Sequence, residues 1–398
     1  MRQIAAAFLA MLAAAPALAD ISGGVVRIGV LTDMSGVYSD LTGKGAVAAA
    51  RMAIDDCIRA ECRDLKVELL SADHQNKVDV GSTRAREWID TGGVDVLVDM
   101  SNAALQLAIP PLLREKNRLG LFMGGTARLT GDACEPGHIV QWMWDTYGQV
   151  AGVAGRLTTP GTSWYIVAVD YALGHQFEAD ARATVERRGG RVLGAVRHPF
   201  PGTDFSSFML QAQASGADYV ALANAGGDTI NALKSAREFG MIGGKQKLVG
   251  FLLTNRDIES VGLDVAQGTT VAEAYYADLD EGTRRFAERF RAEMGRSPSV
   301  IQAGIYSATL HYLKAVAASG SDDVGTVLPR MRAMPIADDV VRNARLREDG
   351  RMLHDLYILE AKRPAESRGP GDIYRLVATV PGEEAFRPIS PACPRRPG

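Results

Sequence analysis

Positive charge is scarce in this chain and nowhere gathered. Its 44 Lys and Arg are outnumbered by 47 Asp and Glu, for a net charge of −3. No basic block or stripe exists to neutralise phosphates, which argues against a nucleic-acid partner. Histidine is rarer still, at six residues, scattered without an i, i+4 pair. The cysteines also lack metal spacing, so no metal site is expected. Catalytic layouts are missing: no Gly-x-Ser-x-Gly elbow, no His-Glu-x-x-His, no Walker loop, no dinucleotide fingerprint, no Cys-x-x-Cys. Asp55-Asp56 and Asp338-Asp339 are adjacent carboxylates, but neighbours on a helix do not face one point, and both pairs read as solvated surface. These absences shift weight from catalysis toward binding, with no cofactor expected. Past the first 19 residues, no apolar run reaches the roughly 20 residues of a membrane span.

What is present begins with an export signal. Arg2 supplies the charge, Ile4 to Leu18 an apolar run, and Ala17-Leu18-Ala19 a small-residue ending. That layout predicts a secretory signal peptide over 1–19, cleaved after Ala19, and a mature protein that is soluble outside the cytoplasm. About 380 of the 398 residues then remain, which suggests two domains. The composition, 46% apolar and 23% charged, is that of a folded globular protein. Four cysteines in an oxidising compartment suggest disulfides. Cys57 and Cys62 flank a short turn and would pair locally. That leaves Cys134 for Cys393, which would pin a Pro- and Arg-rich tail over 391–398.

Apolar strand-like runs alternate with amphipathic helical runs. Strands are expected at Val25–Leu31, Lys66–Ser71, Val94–Met100 and Leu119–Met123. Helices are expected at Gly45–Ile58, Val80–Ile89 and Ala103–Lys116. The rhythm resumes with strands Trp164–Val169, Val192–Val196, Tyr219–Ala223 and Leu248–Leu253. Helices His175–Arg188, Asp204–Ala214 and Asp228–Phe239 lie among them. This is α/β patterning, with two tandem units built on parallel sheets. Two long helices, Gly282–Met294 and Val300–Ala317, follow with no strand between them. Late strands at Tyr357–Glu360 and Tyr374–Thr379 suggest that the chain returns to the first unit and then to the second.

In open parallel sheets, ligands bind beyond the carboxyl ends of the strands. That rule selects the loop Thr32–Asp40 with Ser35 and Tyr38, then Ser101-Asn102, then Gly124-Gly125-Thr126. In the second unit it selects Asp170–Gly174 with Tyr171 and Leu173, Asn224–Asp228 with Ala225, and Leu253–Arg256. Small residues let backbone N–H groups approach a ligand, and helix starts favour a carboxylate. Tyr38, Tyr171, Trp144, Tyr275 and Tyr276 are candidates for an aromatic wall. Plainer roles stand beside these. Ser101 or Asn102 caps a helix with even odds, Asp228 caps the helix after it, Trp142 and Trp144 alternate on a strand, and Arg128 and Arg256 are solvated.

Together these segments resemble a known family. Val26–Gly36, then Gly43-Lys44-Gly45 opening an Ala-rich helix, is similar to the branched-chain amino-acid type of periplasmic binding protein. This is the type I, leucine-binding-protein-like class of ABC-importer receptors. Asp73–Lys77, Asp170–His175, Asp204–Phe208 and Ala223–Thr229 support the likeness, which runs to about Pro388. The resemblance implies a type I fold, in which two doubly wound parallel-sheet lobes joined by three crossings enclose a ligand cleft. It divides the chain into 20–143 with 275–350, and 144–274 with 351–390. It implies a non-enzymatic, monomeric receptor that binds a small carboxylate and delivers it to a membrane permease. The family's carboxylate site falls on Ser101 or Asn102 with Gly124, Gly125 and Thr126, and its aromatic position near Tyr171 and Leu173. One departure matters. Amino-acid binders place an acid just after the strand that here reads Val249–Leu253, and this chain offers Leu252 and Leu253. The nearest acids are Asp228, Asp257 and Glu273, the last beside a crossing. A buried ammonium without a counter-charge is costly, so an aromatic or aliphatic acid, or an amide, is as plausible as leucine. The Asp170–His175 segment also resembles Asp-Tyr-Ala-Phe-Gly-His segments of relatives similar to aromatic-acid binders. A ligand sensor of the same fold, or an enzyme on a small carboxylate, is the alternative class.

Overall fold

The structure is a computed structural model that describes residues 21–393. The expected signal peptide and residues 394–398 of the tail lie outside the described residues. The first sheet holds β1 (Val26–Thr32), β2 (Val67–Asp73), β3 (Val96–Asp99), β4 (Leu119–Phe122) and β5 (Ile139–Gln141). Its order is β2-β1-β3-β4-β5 and every pairing is parallel. β3 and β4 are buried at every residue. That explains why they read as unbroken apolar runs, since helices cover both faces of such a sheet. The covering helices are α1 (Gly43–Arg59), α2 (Val78–Asp90), α3 (Ala103–Ala108) and α4 (Pro110–Glu115). The single helix expected over Ala103–Lys116 is thus two. Pro110 and Pro111 carry no N–H, so the α3 ladder cannot run through them unchanged.

The second sheet begins after α5 (Thr146–Leu157). It contains β6 (Ser163–Val169), β7 (Arg191–His198), β8 (Tyr219–Ala225), β9 (Lys247–Leu252) and β10 (Thr270–Glu273). Helices α6 (Ala172–Arg187), α7 (Ser206–Ala214), α8 (Gly227–Glu238), α9 (Asn255–Val261) and α10 (Leu263–Ala266) connect them. The chain then returns to the first lobe as α11 (Glu281–Met294), α12 (Val300–Ser319) and α13 (Val324–Ala333), with a hairpin of β11 (Arg345–Leu346) and β12 (Met352–Leu353). It finishes in the second sheet as β13 (Leu356–Ala361) and β14 (Tyr374–Val380), with α14 (Gly382–Ala385) after them. The second sheet's order is β14-β13-β10-β9-β8-β6-β7. Its edge departs from the parallel expectation, because β13 and β14 pair antiparallel.

Three passages therefore join the sheets, after β5, after β10 and after β12. α12 is buried along nearly its whole length against α1. The approach is close enough that a Cβ on Gly45 would lie 2.3 Å from Gln302 Nε2. Both expected disulfides are present, Cys57–Cys62 at the end of α1 and Cys134–Cys393. Of the carboxylate pairs, Asp55 is exposed as expected, while Asp56, Asp338 and Asp339 are only half-exposed. Asp338 accepts from Ser307 Oγ and two backbone N–H groups, and Asp56 from Arg289 and Tyr306. Trp142 and Trp144 lie just past β5 rather than on it, and both are buried.

Candidate functional site

The carboxyl ends of both sheets face each other across a partly open cavity of about 40 Å³. It lies where ligands bind in open parallel sheets, beyond the carboxyl ends of the strands. The first lobe contributes Tyr38 and Leu41 from the β1–α1 loop, and Ser101, Asn102, Ala103 and Gln106 from the start of α3. It also contributes Gly124 and Gly125 after β4, and Ile301 from α12. The first passage supplies Trp144, and the second lobe supplies Tyr171, Leu173 and Leu252. No side chain in this lining is charged, and none is histidine or cysteine.

Aromatic rings make one wall. Tyr171 stacks on Phe200 with centroids 5.2 Å apart, and Phe200 also faces Tyr38 at 6.3 Å. The Tyr38 and Tyr171 hydroxyls interact with each other, and the Ala103 N–H at the start of α3 acts on that of Tyr171. Burial pushes both phenols above their ordinary range. The two hydroxyls thus meet across the lobes. Elsewhere in the lining, Gly124 and Gly125 let two large side chains close in. A Cβ on Gly124 would lie 2.0 Å from the Trp144 ring, and one on Gly125 1.7 Å from Gln106 Oε1. Gly125 also has a φ of 131°, a conformation that suits glycine. Gln106 Nε2 donates to the Gly124 carbonyl at 2.6 Å.

Beneath the site, β3 ends with Asp99 and Met100 at φ of 83° and 55°. Such values in non-glycine residues cluster at functional sites. Ser101 Oγ donates to Asp99, a fully buried carboxyl that desolvation pushes up to about 6. Asn102 caps α3, its Oδ1 accepting from Leu105 N–H at 2.8 Å and its Nδ2 donating to the Asn76 carbonyl, and it also lines the cavity.

Of the expected site residues, Tyr38, Ser101, Asn102, Gly124, Gly125, Tyr171 and Leu173 come together at the cavity. Six others do not. Ser35 is exposed, donating to Asp73. Thr126 accepts from Arg128 N–H and caps the 3-10 turn Ala127–Thr130. Asn224 is held by His198 and Thr229. Ala225 ends β8, just before Gly226, whose Cβ position would meet the Val37 carbonyl of the other lobe. Leu253 packs into the second-lobe core, and Leu252 takes the cavity position. Glu273 is buried at the end of β10, where desolvation and Asp257 raise its carboxyl well above its ordinary range. Asp228 does not cap α8; it accepts from Gly202 N–H at 3.0 Å. Tyr275 and Tyr276 lie elsewhere, against Phe286 and Tyr357. Arg128 and Arg256 are paired with Asp132 and with Glu259 and Asp40. Leu41, Ala103, Gln106 and Ile301 were not anticipated. Gln106 had a signal, as a lone amide inside an apolar helical stretch.

The family model described as periplasmic binding protein matches residues 25–369. A periplasmic binding protein from Burkholderia mallei is 40% identical with a TM-score of 0.85, covering 92% of this chain and 97% of that one. A branched chain amino acid ABC transporter periplasmic ligand-binding protein from Burkholderia xenovorans is also 40% identical, with a TM-score of 0.81 and coverage of 91% and 97%. Leu/Ile/Val-binding protein homolog 6 of Brucella melitensis is 27% identical over 80% of this chain and 82% of its own length. The fold alone is shared, at 22% identity and a TM-score of 0.77, with a solute-binding protein from Rhodopseudomonas palustris HaA2, with coverage of 90% and 97%. With a two-lobed fold, a cavity between the sheets and a family match over residues 25–369, this chain belongs to the periplasmic binding protein family.

Proposed function

We propose that this solute-binding protein of an ABC transporter takes a small aromatic carboxylate between its lobes and delivers it to a membrane permease. It acts as a monomer in the periplasm, with the lobes divided at 20–143 with 275–350 and 144–274 with 351–390. The observation that carries the ligand class is the lining: Tyr38, Tyr171 and Trp144 wall a cavity without a single charged side chain. An α-ammonium buried there would have no counter-charge, which is costly. The resemblance puts Leu252 and Leu253 where amino-acid binders place their acid, and of the two Leu252 lines the cavity. A carboxylate, in contrast, finds hydrogen-bond donors in the two tyrosine hydroxyls and the Ala103 N–H beside them. Apolar rings with a few placed polar groups are what a flat aromatic acid requires. The same fold accommodates such a ligand, since the receptor from Rhodopseudomonas palustris HaA2 was solved with p-hydroxybenzoic acid.

Calorimetry on the mature protein tests this with benzoate, hydroxybenzoates and leucine. An aromatic acid is expected to bind saturably, without turnover, and leucine about tenfold or more weaker, a difference of about 1.4 kcal/mol. Leu252→Glu is expected to abolish binding of the aromatic acid through like-charge repulsion and desolvation. Leucine binding more tightly than every aromatic acid overturns the proposal.

A further inference from the structure

Outside the cavity, at its rim, the second lobe grips the first through the start of α9. Arg256 reaches across, its Nη2 standing 3.2 Å from an Asp40 oxygen in the β1–α1 loop. Beside it, Asn255 Nδ2 donates to the Pro298 carbonyl, just before α12, at 3.0 Å. Arg256, Asn255 and Asp40 are not part of the cavity lining, although Leu41, next to Asp40, is. Both sides of the contact are held in place by their own lobe. The Thr254–Asp257 capping box fixes the first turn of α9. Ser299 Oγ donates to the Leu41 carbonyl, and Gln302 Nε2 to those of Asp40 and Thr42, which ties the loop to α12.

Each charged member of this contact also has a partner in its own lobe. Arg256 Nη1 pairs with Glu259, three positions along α9, and Asp40 pairs with Arg296, between α11 and α12. When the lobes part, Arg256 keeps Glu259 and Asp40 keeps Arg296, so neither charge is stranded. A stranded, partly buried charge is what makes most ion pairs costly to break. Opening here loses only the shared contact, in which the Arg256 side chain is 13% exposed and that of Asp40 47%, so its strength is that of a largely solvated pair. We infer that Arg256 and Asp40 form a reversible latch, a positioning pair that biases the lobes toward closure without touching the ligand, with Glu259 and Arg296 as the competing partners that release it. Affinity scales with the closed population, so the latch tunes binding of any occupant and does not rest on the aromatic-acid reading.

Two substitutions separate a latch from a merely structural ion pair, because they act in opposite directions. Arg256→Gln removes the latch. Glu259→Gln removes only a competitor and leaves Arg256 to Asp40. Opening is read without a ligand, as amide hydrogen exchange of the cavity-lining segments 101–106 and 171–173 in the unliganded mature protein. Exchange there is expected to be about two- to fivefold faster than wild type in Arg256→Gln and slower than wild type in Glu259→Gln, with β3 and β8 unchanged in both. Melting of the variants checks that they fold, and if Arg256→Gln does not, Asp40→Asn takes its place. Any other pattern of exchange in the folded variants overturns the latch. Calorimetry with benzoate, 4-hydroxybenzoate and leucine adds a second reading: the Kd of each one that binds should rise in Arg256→Gln and fall in Glu259→Gln. A Kd that moves the same way in both variants also overturns the latch. Opposite shifts with leucine as the tightest binder uphold the latch and overturn the aromatic-acid reading.

Discussion

Asp99 carries the carboxyl nearest the site floor, and its environment sets a measurable pH dependence. It is buried against Thr32 and Ser101, with Asp33 as the neighbouring charge, and desolvation lifts it to about 6. Below pH ~4 this carboxyl is protonated in both folded and unfolded chains. As pH rises, the unfolded chain ionises first, near 3.9, while the folded one holds its proton. Its stabilising contribution is therefore present at low pH and lost between pH ~4 and ~6. A shift of about two pKa units corresponds to about 3 kcal/mol. Asp95 and Asp257 are raised to about 6 by the same cause and act in the same direction. Asp280 and Glu366, held near 2 by Arg342 and Arg363, act oppositely below pH ~4. Asp99→Asn should remove its own share, so the variant gains on the wild type by up to about 3 kcal/mol from pH 4 to pH 7. Urea unfolding at those two pH values measures this, and parallel pH slopes for the two proteins refute it. At this scale the sequence revealed the loops well and the parity of side chains poorly. Gly124, Gly125 and Tyr171 follow from the rule about strand ends. Leu252 and Leu253 cannot be separated by hydropathy, because both faces of β9 are buried and both positions are apolar.

Elements were legible where hydrophobic period and length agreed. β1, β3, β4, β6, β8 and β9 stand close to their expected positions. α5 went unseen: its Gly, Thr and Ala content, with three glycines in twelve residues, masks the helical period. β10 was missed because four residues are too few to show a pattern. The passages between sheets were only inferred from order, and the residue that fastens them was not anticipated at all. Arg351 is fully buried beside Asp145, with its guanidinium 3.6 Å from that carboxylate. It donates to the carbonyls of Trp142, Met143 and Trp144 in the first passage and to that of Met352 beside the third. Its cationic face lies 3.8 Å from the centre of the Phe386 ring. One side chain thus holds two passages together and fixes the backbone that carries Trp144. Arg351→Leu leaves these carbonyls and Asp145 without their partner, so unfolding free energy should fall by about 3–5 kcal/mol. Denaturant titration against wild type is the measurement, and a loss below ~1 kcal/mol would show that the clamp is dispensable.

At the scale of the whole molecule, the chain's end adds a fourth link between the lobes. After β14 and α14 in the second lobe, Phe386 lies against His354 and Arg351, and Arg387 pairs with Asp180 of α6. Six residues after Arg387 the chain reaches Cys393, bonded to Cys134 in the first lobe, 259 positions away in sequence. The tail is therefore a covalent strap, anchored on both lobes, beside passages that are themselves short. Such a bridge acts chiefly on the unfolded chain, where closing so long a loop is worth up to about 5 kcal/mol in the chain-entropy model. Cys57–Cys62 closes only five positions and contributes far less by the same reasoning. Replacing both Cys134 and Cys393 with Ser should lower the melting temperature by several degrees, while the same change at Cys57 and Cys62 should cost clearly less. The strap also limits how far the lobes separate. Without it, small-angle scattering of the unliganded protein should report a larger radius of gyration, and addition of ligand should restore the compact value. Equal melting temperatures for the two double variants would remove the loop-length argument, and an unchanged radius of gyration would show that the three passages alone set the distance between the lobes.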